Sequence, residues 1–64
     1  MVKYIGKKIR TEKRITVREL AESAQVSPST INKWENGSPV TDFTVLDLVA
    51  RAMEVRLFDL VEFM

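Results

Sequence analysis

Apolar positions recur every three or four residues along most of the chain, with polar and charged residues between them. Ile5 and Ile9, four apart, predict a helix near residues 3–13. Val17, Leu20, Ala21 and Ala24 follow at i, i+3, i+4 and i+7 and predict a short second helix, whose small residues would let another helix approach closely. Ile31 and Trp34 are the apolar pair of a third helix. Phe43, Leu46, Val49, Ala50 and Met53 predict a fourth, and Leu57, Phe58, Leu60, Val61 and Met64 a short, unusually apolar fifth. No segment alternates with period two over any length. The expectation is therefore all-α: five short helices in one compact domain spanning residues 1–64.

The boundaries are marked by residues that complete helix ends. Thr16-Val17-Arg18-Glu19 fits a capping box, in which the Thr16 hydroxyl accepts an early N–H and Glu19 reaches back to the N–H of Thr16. Ser27-Pro28 is a second start signal, with proline at the first helical position, where its missing N–H costs nothing. Only Gln25 and Val26 remain for the turn, so the third helix must cross the second steeply and leave one face free. Ser29, Asn32 and Lys33 point away from the Ile31–Trp34 side. Asn36-Gly37 stops the third helix, and Asp42 is a plausible cap for the fourth.

Composition narrows the chemistry. The 64 residues include no Cys and no His, which excludes disulfides, thiolate or imidazole metal sites and histidine-based catalytic groups. No apolar run approaches the roughly 20 residues of a membrane span, and no signal peptide opens the chain, so a cytoplasmic location away from membranes is expected. The net charge of +1 conceals an asymmetry. Residues 1–18 carry seven cations against Glu12 alone, a net of +6, whereas residues 19–64 carry three cations against eight acids, a net of −5. Such a molecule can offer its basic end to a polyanion. On a helical wheel Lys3, Lys7, Arg10 and Arg14 form a basic stripe nearly opposite Ile5 and Ile9, though the same stripe is also what an ordinary solvated helix face looks like. Glu19, Glu22, Asp47, Glu54, Asp59 and Glu62 read as solvated faces rather than paired catalytic carboxylates, and neither an enzyme nor a cofactor or metal is expected.

Thr16-Val17-Arg18-Glu19-Leu20-Ala21, then Val26-Ser27, then Ser29-Thr30-Ile31-Asn32-Lys33-Trp34-Glu35-Asn36-Gly37 resemble the lambda-repressor/Cro-like (XRE-type) helix-turn-helix family, with the helix-turn-helix at about residues 16–36. Leu46, Val49-Ala50-Arg51-Ala52-Met53 and Val55 resemble its fourth helix and following turn, so the likeness covers roughly residues 5–61. It implies a five-helix DNA-binding domain whose third helix enters the major groove while the second crosses the backbone. The chemistry of the residues agrees. Lys33 can donate to guanine O6 or N7, Asn32 can pair with adenine, Ser29 can donate or accept, and Pro28 can meet a thymine methyl. Phosphate contacts would come from Thr16, Val17 and Arg18 at the start of the second helix and from Asn36, which matches a backbone-contacting family position. Arg10 and Glu35 match positions that form an inward ion pair in some relatives. The wheel instead places Arg10 on the basic stripe, free to reach phosphate, and both roles stay open.

Three departures from the family pattern bear on specificity and strain. Val17 replaces a frequent Gln, and Pro28 stands where a long polar side chain often reads bases, so the reading surface is short and leans on DNA shape or water. Gln25 and Glu54 occupy turn positions that usually hold Gly, where a left-handed conformation costs on the order of 1 kcal/mol. Trp34, sharing a face with Ile31, is expected to pack rather than stack on a base.

The implied function is a sequence-specific duplex-DNA-binding transcriptional regulator, most simply a repressor that occludes a promoter. Leu57, Phe58, Leu60, Val61, Phe63 and Met64 are more apolar surface than one short helix can bury, which points to a homodimer seam at Phe58, Val61, Phe63 and Met64. The rival reading is a protein-interaction module, an antitoxin or adaptor domain, docking a partner protein on that end.

Overall fold

The computed structural model describes residues 1–64. In chain order the elements are β1 (Val2–Tyr4), α1 (Lys7–Glu12), α2 (Val17–Ala24), α3 (Pro28–Glu35), α4 (Phe43–Met53), a single 3-10 turn (Leu57–Leu60) and β2 (Val61–Phe63). Four of the five expected helices are present. The fifth is the 3-10 turn followed by a strand, and the first begins at Lys7 because residues 2–4 are also a strand. The two strands pair antiparallel, with Val2 opposite Phe63, Lys3 opposite Glu62 and Tyr4 opposite Val61.

The physical reason for the strand lies at the opposite end of the sequence. Leu57, Leu60, Val61 and Met64 do have helical spacing, but a helix of two turns is marginal by itself. Pairing with β1 hydrogen-bonds the same backbone and delivers Tyr4, Leu60 and Val61 to the core, where each is at most 5% exposed. The ladder extends past both strands: the Ile5 N–H donates to the Leu60 carbonyl at 2.7 Å, and the Met64 N–H to the Met1 carbonyl at 2.9 Å. On its other side β1 receives the Val40 N–H at the Val2 carbonyl, 2.9 Å away.

Leu20, Ala21 and Ala24 of α2 pack with Ile31 and Trp34 of α3 and with Leu46, Val49, Ala50 and Met53 of α4. Tyr4, Val40, Leu60 and Val61 close this single core. Phe43, at the first position of α4, keeps helical spacing with the buried set but remains 45% exposed.

The expected caps all form. Asp42 Oδ1 accepts the N–H groups of Thr44 and Val45 at 3.0 and 3.2 Å. Gln25 (φ 57°, ψ 44°) and Glu54 (φ 59°, ψ 41°) end α2 and α4 in the left-handed conformation, and Arg14 (φ 58°) adopts it between α1 and α2. Each carries a steric cost of about 1 kcal/mol that Gly would avoid.

Candidate nucleic-acid interface

The starts of α2 and α3 are capped in ways that leave different groups free. At α2, the Thr16 hydroxyl accepts the Glu19 N–H at 3.0 Å, and the Thr16 N–H donates to Glu19 Oε1 at 2.9 Å. The bond from the Thr16 N–H and, after it, one from the Thr16 hydroxyl hold the Glu19 carboxyl below the usual carboxylate range. Leu20 N–H closes on the Thr16 carbonyl. The N–H groups of Val17 and Arg18 have no partner in this arrangement, so two donors face outward. At α3, Pro28 has no N–H, Ser29 N–H donates to Ser27 Oγ at 3.2 Å, and Thr30 N–H donates to the Ser27 carbonyl at 3.0 Å. An oxyanion is therefore better served at α2, where the helix dipole adds a favourable field.

On α3 itself, Ile31 and Trp34 turn into the core and Pro28, Ser29, Asn32 and Lys33 are exposed. Positions 28, 29, 32 and 33 share one face of a helix. A hydroxyl, a carboxamide and an ammonium thus share this exposed face with an apolar proline ring, the kinds of group that can meet base edges in a major groove. Thr16, Arg18 and Asn36 are exposed and Val17 half-buried. Arg18 leans on Glu22 at 3.6 Å, an open contact between two mostly solvated side chains that leaves the guanidinium available. Asn36 caps the end of α3 with its side chain in solvent.

Arg10 behaves differently from its place on the helical wheel. Its Nε donates to Glu35 Oε2 at 2.7 Å, Nη2 to Glu35 Oε1 at 3.1 Å and Nη1 to the Ile15 carbonyl at 2.7 Å. The two side chains are only 11% and 7% exposed. A bidentate pair with a third bond to backbone leaves little guanidinium for a phosphate, so Arg10 leaves the basic stripe and instead ties the end of α1 to the end of α3. The hydrogen bond to Glu35 raises the Arg10 pKa against the opposing effect of burial.

The apolar C-terminal residues divide as well. Phe58, Phe63 and Met64 are exposed, the two rings lying 6.0 Å apart. Val61 is 5% exposed, packed into the core of its own chain, and so is withdrawn from any dimer seam.

Tyr4 was not singled out by the sequence pattern, yet it positions α3. Its ring lies 5.3 Å from that of Trp34, tilted by 38°. Trp34 is thus a packing residue at 6% exposure. The Tyr4 hydroxyl is buried without a hydrogen-bond partner, and a Cβ at Gly6 would stand 2.4 Å from it, so glycine is needed there for close approach. Burial, helped by the neighbouring Glu35 carboxylate and opposed by Arg10, pushes the Tyr4 pKa from 10.0 up to about 12. The available signal was the matched alternation of Val2-Lys3-Tyr4 and Val61-Glu62-Phe63, three residues each and too short to distinguish from chance.

No pocket opens on the surface, and no helix is long and apolar enough to cross a membrane. The helix-turn-helix family model matches residues 7–60, most of the chain. Among solved structures, the chain is similar to a crystal structure described as that of "a putative DNA-binding protein from Bacteroides fragilis". The sequences are 29% identical, the alignment covers 97% of this chain and 100% of the other, and the TM-score is 0.81. No curated protein matches the sequence significantly.

Proposed function

Because the chain belongs to the helix-turn-helix family, of the XRE type, we propose that it is a sequence-specific duplex-DNA-binding transcriptional regulator. It acts in the cytoplasm as a repressor, with α3 in the major groove. The observation that carries this is the pairing of two surfaces on adjacent helices. Pro28, Ser29, Asn32 and Lys33 stand free on one face of α3, and the start of α2 beside it, capped by Thr16, offers uncommitted N–H donors at Val17 and Arg18. Arg18 and Asn36 supply further phosphate contacts. The description of the Bacteroides fragilis relative as DNA-binding supports the same reading. Lys33 reads guanine and Asn32 adenine, while Pro28 and Ser29 shape the contact at the helix start.

A homodimer suits this role, since a two-fold operator presents half-sites about 34 Å apart, and the exposed Phe58, Phe63 and Met64 offer the surface for it. The same apolar residues are what a protein-interaction module, an antitoxin or adaptor, would use. Lys33 discriminates between the two readings. After selection of binding sites from a random duplex library, Lys33→Ala should weaken binding to the enriched site by about 1–3 kcal/mol and relax the preference at one base pair, read by fluorescence anisotropy. Failure to enrich any sequence at micromolar protein and moderate salt would overturn the DNA-reading role.

A further inference from the structure

The structure breaks up the basic stripe of the first helix and leaves its cations in different settings. Lys3 belongs to β1, opposite Glu62, and Arg10 is held by Glu35. Lys7, Lys8, Lys13 and Arg14 remain exposed, and none joins the three ion pairs of the molecule, Arg10–Glu35, Arg18–Glu22 and Arg51–Asp47. After α3, the chain from Gly37 to Asp42 holds no cation at all. The unpaired positive charge that flanks the helix-turn-helix in sequence therefore comes before α2.

Within that group Arg14 has a distinct position. α1 closes with the Arg14 N–H on the Thr11 carbonyl and the Ile15 N–H on the Arg10 carbonyl, both at 3.1 Å. This closure holds Arg14 in the left-handed conformation, φ 58°, which glycine adopts more easily. A strained arginine thus stands there with its side chain exposed and in no ion pair. The Arg10 guanidinium bonds both the Ile15 carbonyl and the Glu35 carboxylate. One side chain thereby pins the link between α1 and α2 beside the end of α3, where Asn36 follows. Arg14 is two residues from Thr16, at most about 7 Å between Cα atoms, so its long side chain starts beside the free N–H groups of Val17 and Arg18.

We infer that Arg14 contacts a phosphate of the DNA backbone next to the one met by the start of α2, and that this contact adds affinity without sequence preference. The inference rests on the DNA-reading role above and extends its footprint onto the link between α1 and α2. A guanidinium suits the task, because its planar fork meets two phosphate oxygens at once. Lys8 has no part in it. At ~100° per residue Lys8 lies about 160° round α1 from Arg10, and so on the side of the helix turned away from α3.

The test follows binding to the enriched duplex and to an unrelated duplex by fluorescence anisotropy, between about 50 and 200 mM salt. Arg14→Gln keeps the left-handed strain and removes the charge. It should weaken binding to both duplexes by the same factor, roughly fivefold to tenfold near 0.1 M salt, and lower the slope of log affinity against log salt by about 0.9. Lys8→Gln removes the same charge from the other side of α1 and should leave the slope unchanged. Arg14→Gly relieves the strain, so it should raise the melting temperature while weakening binding as Arg14→Gln does. An unchanged slope in Arg14→Gln, or an equal fall in Lys8→Gln, overturns the contact and leaves the DNA-reading role standing. A wild-type protein that binds neither duplex overturns both.

Discussion

The helix-turn-helix at residues 16–36 and the strand closure at residues 2–4 and 61–63 solve opposite problems. The first satisfies its backbone within three or four residues: Thr16 and Glu19 cap each other, and Ser27 caps the following helix. Its side chains are then spare, and Pro28, Ser29, Asn32 and Lys33 remain exposed. The second satisfies its backbone only by joining the two ends of the chain, and most of its inward side chains are spent on the core. A locally self-sufficient element can afford a surface devoted to a ligand. A non-local one supplies the frame and holds α3 at a fixed angle through the Tyr4–Trp34 contact.

The largest expected effect comes from cutting the ion pair that links α1 to the end of α3. Glu35→Ala leaves the partly buried Arg10 guanidinium without its carboxylate and should destabilise the protein by about 2–3 kcal/mol in urea unfolding. The double variant Arg10→Met/Glu35→Leu should recover most of that loss. No recovery would mean that the pair does more than satisfy partly buried charge.

Within the self-capped element the effect is smaller. Thr16→Ala removes one bond of the capping box and should cost about 1 kcal/mol in thermal unfolding. If the cost reached that of the ion pair, α2 would depend on its cap far more than local bonding allows.

In the frame, the smallest effect has the opposite sign. Tyr4→Phe deletes a buried hydroxyl with no partner and should leave stability unchanged or raise it by up to about 1 kcal/mol. Its pH dependence is distinctive. The Tyr4 pKa is raised from 10.0 to about 12 in the folded protein, so the folded state favours the protonated phenol. That contribution is complete below pH 10 and is lost as pH rises toward 12. Tyr4→Phe should therefore flatten the alkaline decline in stability, and an identical decline in both proteins would remove Tyr4 as its source.

Residues whose role depends on near neighbours were readable from the chain. The Thr16–Glu19 box, the Ser27-Pro28 start, the Asp42 cap and the apolar faces of α2, α3 and α4 all appear where spacing puts them. The family likeness found in those same segments agrees with the match over residues 7–60. Residues 57–64 depart from the helix their spacing predicts because β1, some sixty positions away, competes for the same backbone, and nothing nearby in sequence reveals it. Val61 consequently moved from a presumed seam into the core. Arg10 moved inward because a wheel carries no information about Glu35, twenty-five residues further on.

By itself, then, the sequence determined four helices, their caps, the steep turn between α2 and α3 and the polar face that α3 exposes, because bonds over three or four residues and apolar periodicity suffice to specify them. The tertiary structure decided the strand pairing of the chain ends, the burial of Arg10 against Glu35 and the place of Tyr4 over Trp34. Those depend on which distant segments meet, and the winner is set by the core and hydrogen bonds they complete together rather than by the preference of either segment alone.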